Sequence, residues 1–123
     1  MYQILLPINP EHIENIFNGS KQYEFRKIRC RKPNITKLIM YATAPIMMVV
    51  GEAFIDEIIV DQPTIVWEQT KKFAGIDRIF FDKYFQGKAQ AVAYKLSEVI
   101  KYTEPKPLSE LGINYTPQSL IYI

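Results

Sequence analysis

Apolar and polar positions change their spacing at definite points along the chain, and each change marks an element. "YQILLPI" (residues 2–8) is an apolar run of strand length. It closes at Pro7 and at an Asn9-Pro10 pair, where Asn9 can cap a helix with Pro10 in its first position. Ile13, Ile16 and Phe17 then give the i, i+3, i+4 stripe of a buried helix face, and Gly19 stands where a left-handed residue would stop it. From Gln22 the spacing drops to two. Tyr23 and Phe25 point to one side of a strand, and Gln22, Glu24 and Arg26 to the other. "NITKLIMYATA" and "IMMVVGEAFIDEIIV" follow as two strands joined by a tight turn at Ala44 and Pro45, with Gly51 a bulge position.

The second half repeats the alternation of types. "DQPTIVWEQTKKFAG" carries helix signals: Pro63 in the first turn, Val66, Thr70 and Phe73 facing inward, and Gly75 at the end. Asp77 can cap "RIFFDKYFQG", whose Phe81, Tyr84 and Phe85 form an aromatic stripe of the kind that fills cores, with Gly87 as the stop. "KAQAVAYKLSEVIKY" returns to strand, with Ala89, Ala91 and Ala93 on one side and Gln90, Val92, Tyr94 and Leu96 on the other. Small residues in such a row suit a crowded barrel interior. "TEPKPLSELG" reads as a surface connection and "PQSLIYI" as a closing strand. Helices fall between the first two strands and before the penultimate one. This order predicts an α+β fold: a mixed, largely antiparallel barrel of five to six strands with two to three peripheral helices. Residues 1–123 are expected to form a single domain, with no internal repeat, low-complexity tract or linker.

Composition narrows the class further. Hydrophobic residues make up 48% and charged residues 23%, ordinary globular values that argue against disorder or a fibrous chain. The longest apolar runs, such as "PIMMVVG", fall far short of the ~20 residues a membrane helix needs, and the start "MYQILLPINPEH" lacks a basic region and a cleavage site. No membrane association and a cytoplasmic location are expected. With one cysteine, Cys30, and one histidine, His12, neither an internal disulfide nor a structural zinc site is expected, and no cofactor is called for. The net charge of +2 conceals a local excess. "RKIRCRK" (residues 26–32) holds five of the 15 basic residues, so the remainder, with 13 acidic ones, stands at −3. Lys27, Arg29, Arg31 and Lys32 are thus candidates to hold nucleic-acid phosphates, against the plainer alternative of a solvated hairpin whose charges prevent edge pairing.

One stretch bears on chemistry directly. "GSKQYEFR" (residues 19–26) resembles the Gly-x-Lys-x-x-Glu-x-Arg motif of the ASCH domain family, a branch of the PUA-like barrels. "LIMYATAPIMMVVGEAFIDEII", "PTIVWEQTKKFAGID", "FFDKYFQGKAQAVAYKL" and "PQSLIYI" resemble the corresponding segments of stand-alone bacterial, archaeal and phage members. The resemblance implies a PUA-like barrel with a cleft lined by Gly19, Lys21, Glu24 and Arg26, and a role in RNA binding or transcriptional coactivation. The residues give the same side chains a reason to converge. Glu24 and Arg26 lie two apart on one strand face, and the preceding turn can aim Lys21 over them.

Such a cleft would offer Arg26 as a fork for phosphate or carbonyl oxygens, Glu24 as an acceptor for amino groups, and Lys21 as a movable cation. Tyr41 or Tyr94 could stack a base if they reach it, and Thr43, Gln118 and Ser119 add hydroxyl and amide groups. The leading expectation is a module that binds RNA, a nucleotide or a nucleoside. The second is an enzyme in which Lys21 and Glu24 act catalytically. One branch of the family hydrolyses acetylated cytidine, but it carries a threonine where this chain has Glu24, so the nucleophile would be a water activated by Glu24 or Lys21, or Ser20 or Thr43. Ribonuclease activity is the other enzymatic possibility, with Lys21 and Arg26 stabilising a pentavalent phosphate; His12, on the preceding helix, shows no partner in sequence. A protein-interaction adaptor is the third class.

Overall fold

The computed structural model describes residues 2–123. Six strands, β1 (Tyr2–Ile8), β2 (Tyr23–Arg26), β3 (Ile35–Ala42), β4 (Met48–Asp61), β5 (Ala91–Lys106) and β6 (Ile121–Tyr122), form one sheet in the order β2-β5-β4-β3-β1-β6. Every pairing is antiparallel except β1 with β3, whose parallel register requires a crossover. The helix α1 (Pro10–Phe17) and β2 lie within that crossover. Helices α2 (Pro63–Thr70) and α3 (Arg78–Tyr84) connect β4 to β5. The architecture is α+β, and the sheet curls into a half-barrel whose two end strands, β2 and β6, do not pair with each other. That unpaired seam positions the candidate site. No helix among the described residues is long and apolar enough to cross a membrane.

Local signals explain the elements. Asn9 caps α1, its side chain accepting from the Glu11 amide at 2.9 Å, and Ile13 and Ile16 are buried. Gly19 takes φ +87° just past the helix end, a conformation that costs glycine nothing. Asp77 caps α3 by accepting from the Phe80 amide at 2.8 Å.

Alternation along the strands divides the interior in two. Ile4, Leu6, Ile8, Leu38, Met40, Val92, Tyr94 and Leu96 join Ile13 and Ile16 of α1 in the main core. On the opposite face, Phe25, Ala91 and Ala93 meet Val66, Trp67, Phe81 and Phe85 of the α2–α3 pair. Ala91 and Ala93 thus make room for helix-borne rings, whereas the sequence suggested small residues inside the barrel; Ala89 is exposed and precedes the strand.

Three further expectations are corrected. Phe73 is 39% exposed, and Trp67 is buried in its stead. The chain tightens into a 3₁₀ turn at Lys71–Phe73, which turns the face predicted for a continuous α-helix. Thr103–Lys106 belongs to β5 and not to a surface connection. Pro105 is accommodated where the β4–β5 register shifts, Val49 facing Lys106 while Gly51 faces Lys101. Of "PQSLIYI", only Ile121–Tyr122 is strand, pairing with β1.

Candidate functional site

The site begins at the turn from α1 to β2. The Lys21 amide donates to the Asn15 carbonyl at 3.0 Å, and the Gln22 amide to the Phe73 carbonyl at 2.8 Å, tying this turn to the segment after α2. Gly75 lies directly against Lys21: it has φ +69°, and a Cβ there would collide with Lys21 Cβ and come within 2.6 Å of its Cγ. A close backbone approach therefore fixes the lysine's stem. Lys21 is 2% exposed, and its Nζ donates to the Ala74 carbonyl at 3.0 Å.

β2 supplies the other two charges. Glu24 is 3% exposed, with Oε2 at 2.9 Å from Arg26 Nη1 and Oε1 at 3.9 Å from Lys21 Nζ. Arg26 Nη1 also donates to the Phe25 carbonyl at 3.0 Å, and its Nη2 to the Pro7 carbonyl on β1 at 2.7 Å. That last bond spans the seam. The ammonium, carboxylate and guanidinium therefore converge, as the spacing of "GSKQYEFR" suggested. Burial lowers the Lys21 pKa below the ordinary lysine value; Glu24 opposes the shift and Arg26 adds to it.

A small cavity of 70 Å³ collects Lys21, Glu24, Arg26, His12, Phe80 and Tyr84 among its walls. His12 was without a visible partner in the sequence, yet the fold brings it to these charges. Burial lowers its pKa from 6.5, and the Lys21 charge adds to that, so the imidazole is neutral near pH 7. Its Nδ1 is buried with no hydrogen-bond partner in the protein, and its ring meets Phe80 edge-on at 5.5 Å. Tyr84, expected to fill the core with Phe81 and Phe85, is only partly buried; burial raises its hydroxyl pKa, and Lys27 Nζ sits 4.7 Å from its ring centroid.

Arg26 and Tyr84 also line a second cavity of 490 Å³ in the seam. Lys27, Arg29 and Arg31 wall it on one side, and Gln118 and Ser119 on the other. The basic loop is pinned from its backbone: Tyr122 Oη accepts from the amides of Arg31 at 2.7 Å and Lys32 at 3.3 Å, and Tyr94 Oη from that of Cys30 at 3.3 Å. Lys32 does not line the cavity; its Nζ stacks on the Tyr2 and Tyr122 rings at 4.6 and 4.8 Å.

Tyr94 is fully buried in the main core, so it has no open face for a base. Tyr41 is 1% exposed and, with Thr43, borders a separate cavity that does not reach the motif. Among the described residues, no group of three or more histidine, cysteine, aspartate or glutamate side chains is placed to hold a metal ion. His12 and Tyr84 are the site residues sequence reasoning missed. For His12 the available signal was its position on the helix preceding the motif.

No protein-family model matches the chain. Curated relatives do. It is 28% identical over 125 residues to an ASCH domain-containing ribonuclease of Zymomonas mobilis, covering 98% of this chain and 84% of that protein. It is also 29% identical over 121 residues to an ATP synthase subunit alpha of Ureaplasma parvum, and 23% identical over 120 residues to a large ribosomal subunit protein uL22 of that organism. The chain spans only 15% and 39% of those two proteins. Among solved structures, ASCH from Zymomonas mobilis superposes with a TM-score of 0.86 at 26% identity, over 98% of this chain and 87% of that one. A point mutant of the same protein gives 0.86 at 25% identity, over 98% and 89%.

Proposed function

Because the chain is an ASCH-domain protein of PUA-like fold, with a buried lysine–glutamate–arginine cluster beside a neutral histidine, we propose that it binds RNA in the seam and cleaves it by general acid–base catalysis. One observation carries the reading. His12, Lys21 and Arg26 share a pocket of 70 Å³, and Arg26 and Tyr84 join that pocket to a cation-walled cavity of 490 Å³, a volume in the range of nucleotide-sized ligands. The similar Zymomonas protein named a ribonuclease supports the same reading.

In this mechanism a nucleoside occupies the seam cavity, while Arg29 and Arg31 hold flanking phosphates and Arg26 meets the scissile one with the donors its internal bonds leave over, Nε and one Nη2 hydrogen. Neutral His12 removes the proton from the 2′-hydroxyl, whose oxygen attacks phosphorus. As the bond from phosphorus to the 5′-oxygen breaks, the Lys21 ammonium delivers a proton to the leaving oxygen. The products are a 2′,3′-cyclic phosphate and a 5′-hydroxyl. Burial assists both steps, since it keeps His12 unprotonated and makes Lys21 a stronger acid than an exposed lysine. Glu24 orients the two cations between which the phosphorane charge develops.

The test is incubation with short RNA oligonucleotides and, separately, with N4-acetylcytidine, followed by mass spectrometry. Cyclic phosphate ends are expected from RNA, with kcat/KM falling about 10²- to 10⁴-fold in His12→Ala and in Lys21→Ala. Arg29→Glu with Arg31→Glu should raise KM and flatten its salt dependence. Deacetylation with RNA left intact would replace this proposal with an amidohydrolase. Intact RNA that still binds would reduce it to a binding module.

A further inference from the structure

Tyr41, Thr43 and Gln118 face a cavity that the proposed chemistry leaves unused. It measures 370 Å³ and is lined by Pro7, Tyr41, Thr43, Met47, Thr116 and Gln118, together with Ala44 and Pro117. Pro7 and Gln118 belong to the wall of the seam cavity as well. The two hollows are thus neighbours across a ridge made by one proline and one amide side chain.

We propose that this hollow is a second nucleoside subsite, taking the nucleotide next to the one held in the seam; the proposal rests on the RNA reading above. Its chemistry suits a base and ribose and not a phosphate. No charged side chain lines it, so a phosphate would lose its water with no cation to replace it. The Thr43 and Thr116 hydroxyls and the Gln118 amide can each donate and accept, the complement that base edges and ribose hydroxyls require. Apolar walls come from Pro117, Ala44 and Met47.

Met47 is 49% exposed at the rim and has φ +53°. Non-glycine residues seldom adopt this backbone, and where they do they are often held there for a purpose. Met47 lines the hollow while remaining half exposed, so its polarizable, flexible thioether is available to lie on the face of a base that enters. Tyr41, being 1% exposed, forms floor and not a stacking platform. Gln118, common to both hollows, would touch both nucleosides and so set the dinucleotide step preferred for cleavage.

The probe is a pair of 2′-fluoro ligands that cannot cyclise: a nucleoside 5′-monophosphate and the corresponding dinucleotide, titrated calorimetrically. The dinucleotide should bind the wild type about tenfold tighter than the monophosphate, from one thioether contact and one or two hydrogen bonds. Met47→Glu, which places a carboxylate at the mouth, should erase that gain while the monophosphate Kd stays within about twofold. Thr43→Val should erase part of it. A gain that survives in both variants, or is missing from the wild type while the monophosphate binds, overturns the second subsite and leaves the RNA reading standing. A wild type that binds neither ligand nor longer RNA overturns both.

Discussion

Glu24→Gln tests whether the site's carboxylate is what allows a lysine to sit charged in the interior. The substitution keeps volume and shape but removes the charge facing Lys21 Nζ at 3.9 Å and Arg26 Nη1 at 2.9 Å. Arg26, with its side chain 25% exposed, can turn part of its charge toward water. Lys21, at 2%, cannot; it keeps only the Ala74 carbonyl at 3.0 Å and the Phe25 ring at 4.8 Å. Removing one partner of a buried ion pair typically costs about 3–5 kcal/mol, because the remaining charge is left without a counterion. For a chain of this length that is a fall in Tm of roughly 10 °C or more at pH 7.

The loss should depend on pH in a definite direction. Burial already holds the native Lys21 pKa below its unfolded value of about 10.4, and Glu24 is the group that raises it. Between the native and unfolded values the unfolded chain binds more protons, so stability rises with pH across that window. Without Glu24 the window opens at lower pH. The variant's deficit should therefore be largest near neutrality and narrow toward pH 10. Urea unfolding at pH 7 and 9.5 measures this. The double variant Lys21→Met with Glu24→Gln should regain most of the loss at pH 7, since an apolar side chain needs no counterion. A pH-independent deficit, or a double variant as unstable as the single one, would refute the reasoning.

Two other outcomes follow from the same geometry. The pH profile of kcat/KM for RNA cleavage should fall on the acid side as His12 protonates, with a midpoint below 6.5, and on the basic side as Lys21 deprotonates, with a midpoint below 10.5; an acid limb that persists in His12→Ala would exclude the histidine as base. Gly75→Ala should displace Lys21 and strain the backbone, lowering stability by about 1–3 kcal/mol and activity with it, as thermal melts and turnover would report.

How far the sequence could be read depended on the range over which each signal acts. Caps and stops were legible because they operate within a turn: Asn9, Gly19 and Asp77 occupy the roles their spacing implied. So was the alternation that separates Phe25 from Glu24 and Arg26. The motif's convergence was legible for the same reason, since Lys21, Glu24 and Arg26 lie within six residues. What could not be read was set by distant packing. His12 reaches the cluster only because α1 lies against the sheet, and Tyr84, though packed against the Phe81–Phe85 core as its spacing implied, also lines both cavities, which no local signal announced. Tyr94 and Tyr41 were open as candidates until strand pairing buried them. Pro105 looked like the end of a strand because the bulge that accommodates it is defined by a partner some fifty residues away.

The Arg26–Pro7 bond carries one more consequence. It joins the first strand to the second at the place where the half-barrel stays open, and the wall facing it, Gln118 to Tyr122, comes from the final segment. The recess is therefore made by segments that lie far apart in the sequence, residues 6–7, 26–31 and 118–122. "GSKQYEFR" by itself has nothing to enclose a guest: the recess exists only once β6 has paired with β1.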